Sequence, residues 1–290
     1  MSNITVVIQG SKGSYHEMAA CQYFGLSNML YGEVFEDVFV AVQDGRADYG
    51  VIAVENSLYG SIGRVLDLLR QYSSAVTIVG EEYVRIHHCL IGLPDATLKD
   101  ITEVHSQAEA LGQCLEFLKH HVPQARVCPE PDTAGSVALV RKRHDKTIAA
   151  IASKQAAVEY GLRVLHEKIE DDPQNYTRFL VVQRKSEAQV AGADKTSLVL
   201  DHLGNELNEA RVGLLRRALG AFADAGISLS KIESRPVKGK AWRYRFYIDC
   251  AAGMDDPRLR QALQALQAVG ATWKILGTFI QGETVDALDA

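Results

Sequence analysis

Four turns in the chain carry residue types suited to holding an anion. In each, a strand-like run ends, a small or hydroxyl residue follows, and a helical pattern begins. They are Gly10-Ser11-Lys12-Gly13-Ser14, Glu55-Asn56-Ser57, His105-Ser106-Gln107 and Asp132-Thr133-Ala134. Helix N-termini present unpaired N–H groups and the positive end of a dipole. Four of them around one cleft would bind a small polyanion with few cationic side chains. Taken singly, each Ser, Asn or Thr is more simply a helix cap. A fifth segment, Asn175-Tyr176-Thr177-Arg178-Phe179, is a polar cluster that enters an apolar strand just after Asp171-Asp172-Pro173. On its own it reads as a strand entry, with Thr177 suited to β structure.

Other chemistries lack their residues. Gly10-x-x-Gly13 has no third glycine of a dinucleotide fingerprint, and no Gly-Lys-Ser/Thr phosphate loop occurs, so nicotinamide and nucleoside triphosphate binding are excluded. No Gly-x-Ser-x-Gly elbow is present. Among nine histidines, the pairs His87-His88 and His120-His121 are adjacent and would not face one ligand. They are expected to be surface or internally satisfied groups, not metal ligands. The five cysteines, Cys21, Cys89, Cys114, Cys128 and Cys250, are scattered, with no CxxC and no zinc-type spacing. Reduced thiols in a cytoplasm are the expected state. A net charge of −5 argues against a nucleic-acid surface. No apolar run reaches the roughly 18 residues of a membrane span, and Met1 to Thr5 reads directly into a strand, so no secretion signal is expected.

These residues need a scaffold. A chain of 290 residues suggests about two domains. Strand-like runs at 5–8, 49–54, 84–93, 125–128, 147–152 and 179–182 alternate with helical patterns at 15–24, around Phe39 and Val42, and at 62–69, 106–121, 132–143 and 153–160. That alternation predicts a parallel α/β sheet, arranged as two lobes with a ligand cleft between them. A first domain over 1–185 is followed by a polar, small-residue linker at 186–195. Over 196–282 the expected order is strand 196–202, helix 211–223, strands 227–235 and 241–251, helix 256–269 and strand 271–280. This is a ferredoxin-like βαββαβ unit, suited to regulation or docking.

Taken together and in order, the segments resemble prephenate dehydratase with a C-terminal ACT regulatory domain. Asn175-x-Thr177-Arg178-Phe179 resembles the family signature. Glu55-Asn56-Ser57 with Gly60 resembles its Glu-Asn-Ser element, and Gly10-x-x-Gly13-Ser14-Tyr15 with Ala19-Ala20 its first turn. Ser106, Gln113 and Cys114 match the spacing of its Ser-His-Pro-Gln-x-x-x-Gln-Cys segment, and Thr133-Ala134 its Thr-Ala turn. Gly226 to Pro236, ending Glu233-Ser234-Arg235-Pro236, resembles the ACT effector region.

The resemblance implies a two-lobed α/β catalytic domain like that of solute-binding proteins, followed by the ACT unit. It implies a lyase of phenylalanine biosynthesis that converts prephenate to phenylpyruvate, water and CO2, with no cofactor and no metal. Thr177 would donate to the leaving hydroxyl. Asn56, Ser57, Ser106, Gln113 and Thr133 would hold the substrate carboxylates. Arg178 would pair with a substrate carboxylate or, equally, with Glu55 or another acid of the protein. L-phenylalanine would be a feedback effector held by Gly213, Leu214, Glu233, Ser234 and Arg235, in a homodimer or homotetramer joined through ACT domains. Partners of other kinds, nucleic acid and membrane, are not implied. The sequence departs from the pattern at His16, where serine is usual, and at Gln107, Ala108 and Glu109, which replace His, Pro and Gln. In the ACT region, Val212-Gly213-Leu214-Leu215 replaces Pro-Gly-Ala-Leu and Ser228 replaces Asn. Arogenate, with an amine in place of the keto group, fits the same motifs, and an acid near the side-chain end, for which Glu109 is a candidate, would favour it. A non-catalytic binding protein shares the architecture.

Overall fold

The computed structural model describes residues 4–202 and 212–283. Arg211, where a helix was expected to begin, lies outside them. The first lobe contains β1 (Thr5–Gln9), α1 (Tyr15–Phe24), β2 (Asn28–Gly32), α2 (Phe35–Gln43), β3 (Tyr49–Asn56), β4 (Gly60–Ser61), α3 (Gly63–Gln71) and β5 (Val76–Arg85). The second contains β6 (Cys89–Gly92), β7 (Glu103–Ser106), α4 (Ala108–Gly112), α5 (Leu115–His121), β8 (Arg126–Pro129), α6 (Thr133–Arg143), β9 (Ile148–Ala152), α7 (Lys154–Glu159) and β10 (Arg163–Glu167). The chain then returns to the first lobe as β11 (Tyr176–Arg184). A C-terminal unit follows: β12 (Lys195–His202), α8 (Leu214–Asp224), β13 (Leu229–Pro236), β14 (Tyr244–Cys250), α9 (Pro257–Ala268) and β15 (Thr272–Phe279).

Local chemistry starts the helices at the interlobe face. Ser14 caps α1 by accepting from the Glu17 N–H, and Asp132 caps α6 by accepting from the Gly135 N–H at 2.6 Å. Ser153 caps α7 through the Ala156 N–H at 3.1 Å. Each cap satisfies one of the donors that a helix start leaves open. Burial then fixes the faces. Val65, Leu66, Leu68 and Leu69 of α3 join Val54, Ile78 and Leu180 in one core. The second lobe has cores on both faces of its sheet, and a further core lies under α8 and α9.

The parallel-sheet expectation needs correction. β1 pairs parallel with β2 and β3, but β11 runs antiparallel between β3 and β5. It enters from the second lobe and therefore crosses the first sheet in the opposite sense. The run 84–93 is two strands, because the chain crosses between lobes at 86–88. The helix expected over 106–121 is also two. α4 closes where the Gln113 N–H bonds Glu109 O, and Cys114, at φ −126°, leaves the helical region. The second sheet has the order β10-β6-β9-β7-β8.

The C-terminal strands lie in the order β13-β14-β12-β15, the ferredoxin-like arrangement, and continue into the first lobe's sheet as β5-β11-β3-β1-β2. The join is at Gly277, paired with Ile78. A Cβ on Gly277 would lie 2.3 Å from Ile78 O, so the approach requires glycine. The polar linker thus connects two units that share one sheet.

Candidate functional site

A cavity of about 400 Å³ opens between the lobes, within the usual range for small-molecule sites. Its walls come from the starts of α1, α3, α4 and α6 and from the facing strands β3 and β11. Two chain crossings support it. Ile86 N–H bonds Asn175 O at 2.7 Å, and Ile169 N–H bonds His88 O at 3.0 Å. Glu170 clasps the same crossing, accepting from His88 N–H at 2.9 Å and lying 2.7 Å from His87 Nδ1. Ser153 Oγ donates to Gly13 O at 2.7 Å across the lobes. Gly13 has φ +82°, and a Cβ there would meet Ala156 at 2.6 Å.

Thr177 lines this cavity beside Asn56, its register partner on β3. Asn56 Nδ2 donates to Thr177 Oγ1 at 3.1 Å, and also to Asn175 Oδ1 at 2.8 Å and Tyr176 O at 3.1 Å. Its Oδ1 accepts the Leu58 and Tyr59 N–H groups, both at 3.0 Å. The amide is held at both ends, and the Thr177 hydroxyl, already accepting, keeps its own proton to donate. Gln113 also lines the cavity, with Oε1 2.7 Å from His88 Nε2. Because that oxygen only accepts, His88 carries its proton on Nε2. Burial lowers the pKa of His88. Thr133, at the first position of α6, lines the opposite wall.

Other expected site residues are elsewhere. Ser57 Oγ donates to Gln174 O and accepts from Tyr176 N–H, both at 2.9 Å, so it staples β3 to the entry of β11. Ser106 is fully buried and donates to Ile151 O at 2.6 Å, inside the second sheet. Neither is among the residues lining the cavity. Arg178 takes the second of its two expected roles, pairing with acids of the protein. Alternation along β11 turns it to the face opposite Thr177, where it donates through Nε to Glu81 Oε2 at 2.7 Å and through a terminal nitrogen to Asp249 Oδ2 at 2.5 Å. Lys195 Nζ completes the group at 2.8 Å from Glu81 Oε1. Burial alone would lower the Arg178 pKa, but Asp249 and Glu81 more than offset it and hold the pKa above its usual value. No Lys or Arg is among the residues lining the cavity.

The expected effector residues divide. On β13, the half-buried Lys231, Glu233 and Arg235 alternate with exposed Ile232, Ser234 and Pro236. Glu233 accepts from Ser61 Oγ at 3.3 Å, and Arg235 donates to Asp67 at 3.1 Å, so both face the first lobe. Ser234 faces away from it. Gly213 is the left-handed N-cap of α8 and Leu214 its first residue.

Several lining residues were not singled out as binding groups from sequence: Tyr15, Phe35, Tyr59, Ile86 and His88. His88 was hidden in an adjacent histidine pair, although its neighbour His87 faces elsewhere. Glu109, unplaced by sequence, lies on the cavity wall in the first turn of α4. His16 lines the floor, its ring edge-on to Phe179 with centroids 5.1 Å apart. Burial pushes its pKa down to about 4. Away from the cavity, Glu103, His105 and Cys128 place possible metal-ligand atoms within 4.8 Å of one another. The sequence spacing concealed this because His105 and Cys128 lie side by side on parallel strands. Glu103 already pairs with Arg126 at 2.8 Å, and His105 is bracketed by Glu103 and Glu130. Among the described residues, no helix is long and apolar enough to cross a membrane.

Comparison with known proteins places this geometry. Residues 6–187 match the family described as prephenate dehydratase, and residues 207–268 match the ACT domain. The bifunctional chorismate mutase/prephenate dehydratase of Neisseria gonorrhoeae is 36% identical over 95% of this chain and 74% of its own length. Arogenate dehydratase 1 of Petunia hybrida is 37% identical over 96% of this chain and 67% of its own. A solved prephenate dehydratase from Arthrobacter aurescens, in complex with L-Phe, superposes with a TM-score of 0.83 at 30% identity, covering 96% of this chain and 90% of that one. GqqA, described as a quorum-quenching acylase, superposes at 0.84 with 31% identity, covering 96% and 98%. The family match spans most of the chain, and the chain belongs to the prephenate dehydratase family.

Proposed function

We propose that the interlobe cavity converts prephenate to phenylpyruvate, water and CO2, with Thr177 as the donor to the leaving hydroxyl. The carrying observation is the Thr177 hydroxyl, facing the cavity with its oxygen already accepting from Asn56. As the bond from the ring to its carboxylate breaks, that electron pair enters the ring and the opposite C–O bond gives up its pair to oxygen. The departing oxygen takes a proton, one proton is consumed overall, and the ring becomes aromatic. A threonine hydroxyl is a weak acid, so its role is first a hydrogen bond that strengthens as charge develops. The Asn56 N–H polarises it for that role.

The remaining groups suit a substrate that must lose a carboxylate. Gln113, Thr133 and the helix starts offer neutral donors. A guanidinium on the ring carboxylate would hold the charge that has to leave, and the lining residues offer none. A partly desolvated carboxylate departs more readily as neutral CO2. L-phenylalanine acts through the C-terminal unit, in a homodimer or homotetramer joined there, with residues 1–185 catalytic, 186–195 a linker and 196–282 regulatory. The L-Phe complex of the Arthrobacter relative supports this regulation.

A second substrate reading has its own support. Glu109 on the cavity wall is an acid that an ammonium group could meet, which favours arogenate. Acyl transfer, as named for GqqA, has less. Both cavity imidazoles are engaged, His16 Nε2 by Ala53 N–H and His88 Nε2 by Gln113. Among the described residues, neither imidazole has a Ser, Thr or Cys partner to activate. Assay of purified protein for phenylpyruvate from prephenate tests the main reading. Absence of phenylpyruvate, with phenylalanine formed from arogenate, would transfer the assignment to the second.

A further inference from the structure

The two imidazoles of the cavity are set in opposite tautomers by what each one touches. His88 must donate from Nε2, because Gln113 Oε1 faces it. His16 must accept at Nε2, because the Ala53 backbone N–H points at that atom from 3.1 Å. A neutral imidazole has one N–H, so in His16 it is on Nδ1. The ring stays neutral near pH 7, since burial pushes its pKa down to about 4. His16 lines the cavity, and Nδ1 is not among the enclosed, partnerless polar atoms. That N–H is therefore not sealed inside the protein and is open to a ligand.

We propose that His16 is a specificity-determining residue whose Nδ1–H donates to the keto oxygen of the substrate side chain and so selects a keto acid over the matching amino acid. The proposal rests on the dehydratase reading and deepens it. Register supplies the placement. Thr177 pairs with Asn56, whereas Phe179, against which His16 packs, pairs with Ala53. Thr177 and Phe179 are two residues apart on one face of β11, about 7 Å along the strand. In prephenate the hydroxyl and the keto-bearing side chain are at opposite ends of a six-membered ring. With the hydroxyl at Thr177, the side chain reaches the level of His16.

A keto oxygen accepts the Nδ1 proton. The ammonium of an amino acid offers donors and no acceptor, so two donors would face each other there with neither satisfied. Serine, the usual residue at this position in the family, both donates and accepts and would not discriminate. Glu109 works in the other direction, but it lies exposed in the first turn of α4, whereas His16 is packed on the floor.

Competition between prephenate and arogenate in one reaction tests this. His16→Ser is expected to lower the ratio of the two kcat/KM values about tenfold, the scale of one neutral hydrogen bond, mainly through KM for prephenate. His16→Gln can accept from Ala53 N–H with its carbonyl and donate with its amide, and should keep the ratio within about threefold of wild type. A folded Ser variant with an unchanged ratio overturns the proposal. A Gln variant that falls as far as Ser also overturns it, because ring shape would then be the cause. If wild type turns over neither substrate, the dehydratase reading fails instead. On wild type alone, ¹⁵N spectra should show His16 as the neutral Nδ1–H tautomer, perturbed by added phenylpyruvate. An Nε2–H tautomer, or no response at saturation, overturns the proposal without any variant.

Discussion

The two faces of β11 hold adjacent residues in contrasting surroundings. Thr177 faces the cavity, and Asn56 is the neutral partner of its hydroxyl. Arg178 is 7% exposed on the other face, between Glu81 and Asp249, with Lys195 close behind. Charge balances within that buried group, two cations against two carboxylates, as burial of ions requires. Asp249 belongs to the C-terminal unit and Lys195 opens its first strand, so this face of β11 is an assembly surface. On the proposed reaction, the family signature would combine two jobs in consecutive residues. The first would hold a neutral donor against the substrate. The second turns the segment's cation to the opposite face, where it docks the C-terminal unit.

If that division is right, the two residues fail differently. Thr177→Ala should lower kcat about 10²–10⁴-fold, while Tm moves by no more than about 4 °C, the effect of one neutral hydrogen bond. Steady-state kinetics beside a thermal melt measure both. A variant within about threefold of wild type would remove Thr177 from the leaving-group role. Arg178→Ala should do the reverse. It leaves Glu81 and Asp249 buried with too little positive charge, a loss of about 3–5 kcal/mol. Tm should fall by roughly 10 °C, with KM of the folded fraction changed less than about threefold. A stable Arg178→Ala protein with a much higher KM would break the comparison and return Arg178 to the substrate.

The same contrast explains what was legible in the sequence. Thr177, Asn56, Gln113 and Thr133 carried motif signals, and all four lie on the cavity. Alternation implied that Thr177 and Arg178 face opposite ways, but not which way is the cleft. Arg178's partner Asp249 lies 71 residues on, beyond a segment that reads as a linker. Ser57 and Ser106 have the residue type of ligands, yet nearby backbone groups take their hydroxyls. β2 and β10 are short and largely unburied, so their hydrophobic pattern is weak. The single sheet shared by lobe and C-terminal unit rests on a glycine contact that composition does not reveal.

Acid should separate the two faces further. His16 on the cavity face has a folded pKa of about 4, below the ordinary 6.5. For a histidine this means that the unfolded chain binds the proton first as pH falls. Its contribution to stability is full above about pH 6.5 and is lost progressively down to about pH 4, some 3 kcal/mol in all. Asp249 on the assembly face has a pKa lowered from 3.8; burial alone would raise it, but Arg178 outweighs that. Its stabilisation is present above about pH 4 and is lost only as pH falls further through the lowered value. Urea unfolding at pH 7 and pH 4 should therefore show wild type losing about 3 kcal/mol more than His16→Ser. Equal losses in the two proteins would mean that the His16 ring protonates without penalty in the fold.

The smallest effect expected is at Lys231, between the C-terminal unit and the β3–β4 turn. Lys231 of β13 pairs with Glu55 at 2.8 Å and donates to Ser61 Oγ at 2.5 Å. Glu55 precedes Asn56, and Ser61 itself lines the cavity. Any influence of the C-terminal unit on Thr177 has a short route here, through the β3–β4 turn. Lys231→Met keeps the aliphatic stem and removes the charge, and because the Glu55 left behind is partly exposed to water the cost should be about 1 kcal/mol. Basal kcat should change by less than about twofold, because neither Asn56 nor Thr177 loses a direct partner. The response of activity to added phenylalanine should weaken in the same protein. Kinetics with and without phenylalanine, on wild type and variant, measure the two quantities together. A fall of more than about fivefold in basal kcat would show that docking of the C-terminal unit holds Asn56 in place, and the two faces of β11 would then act as one site.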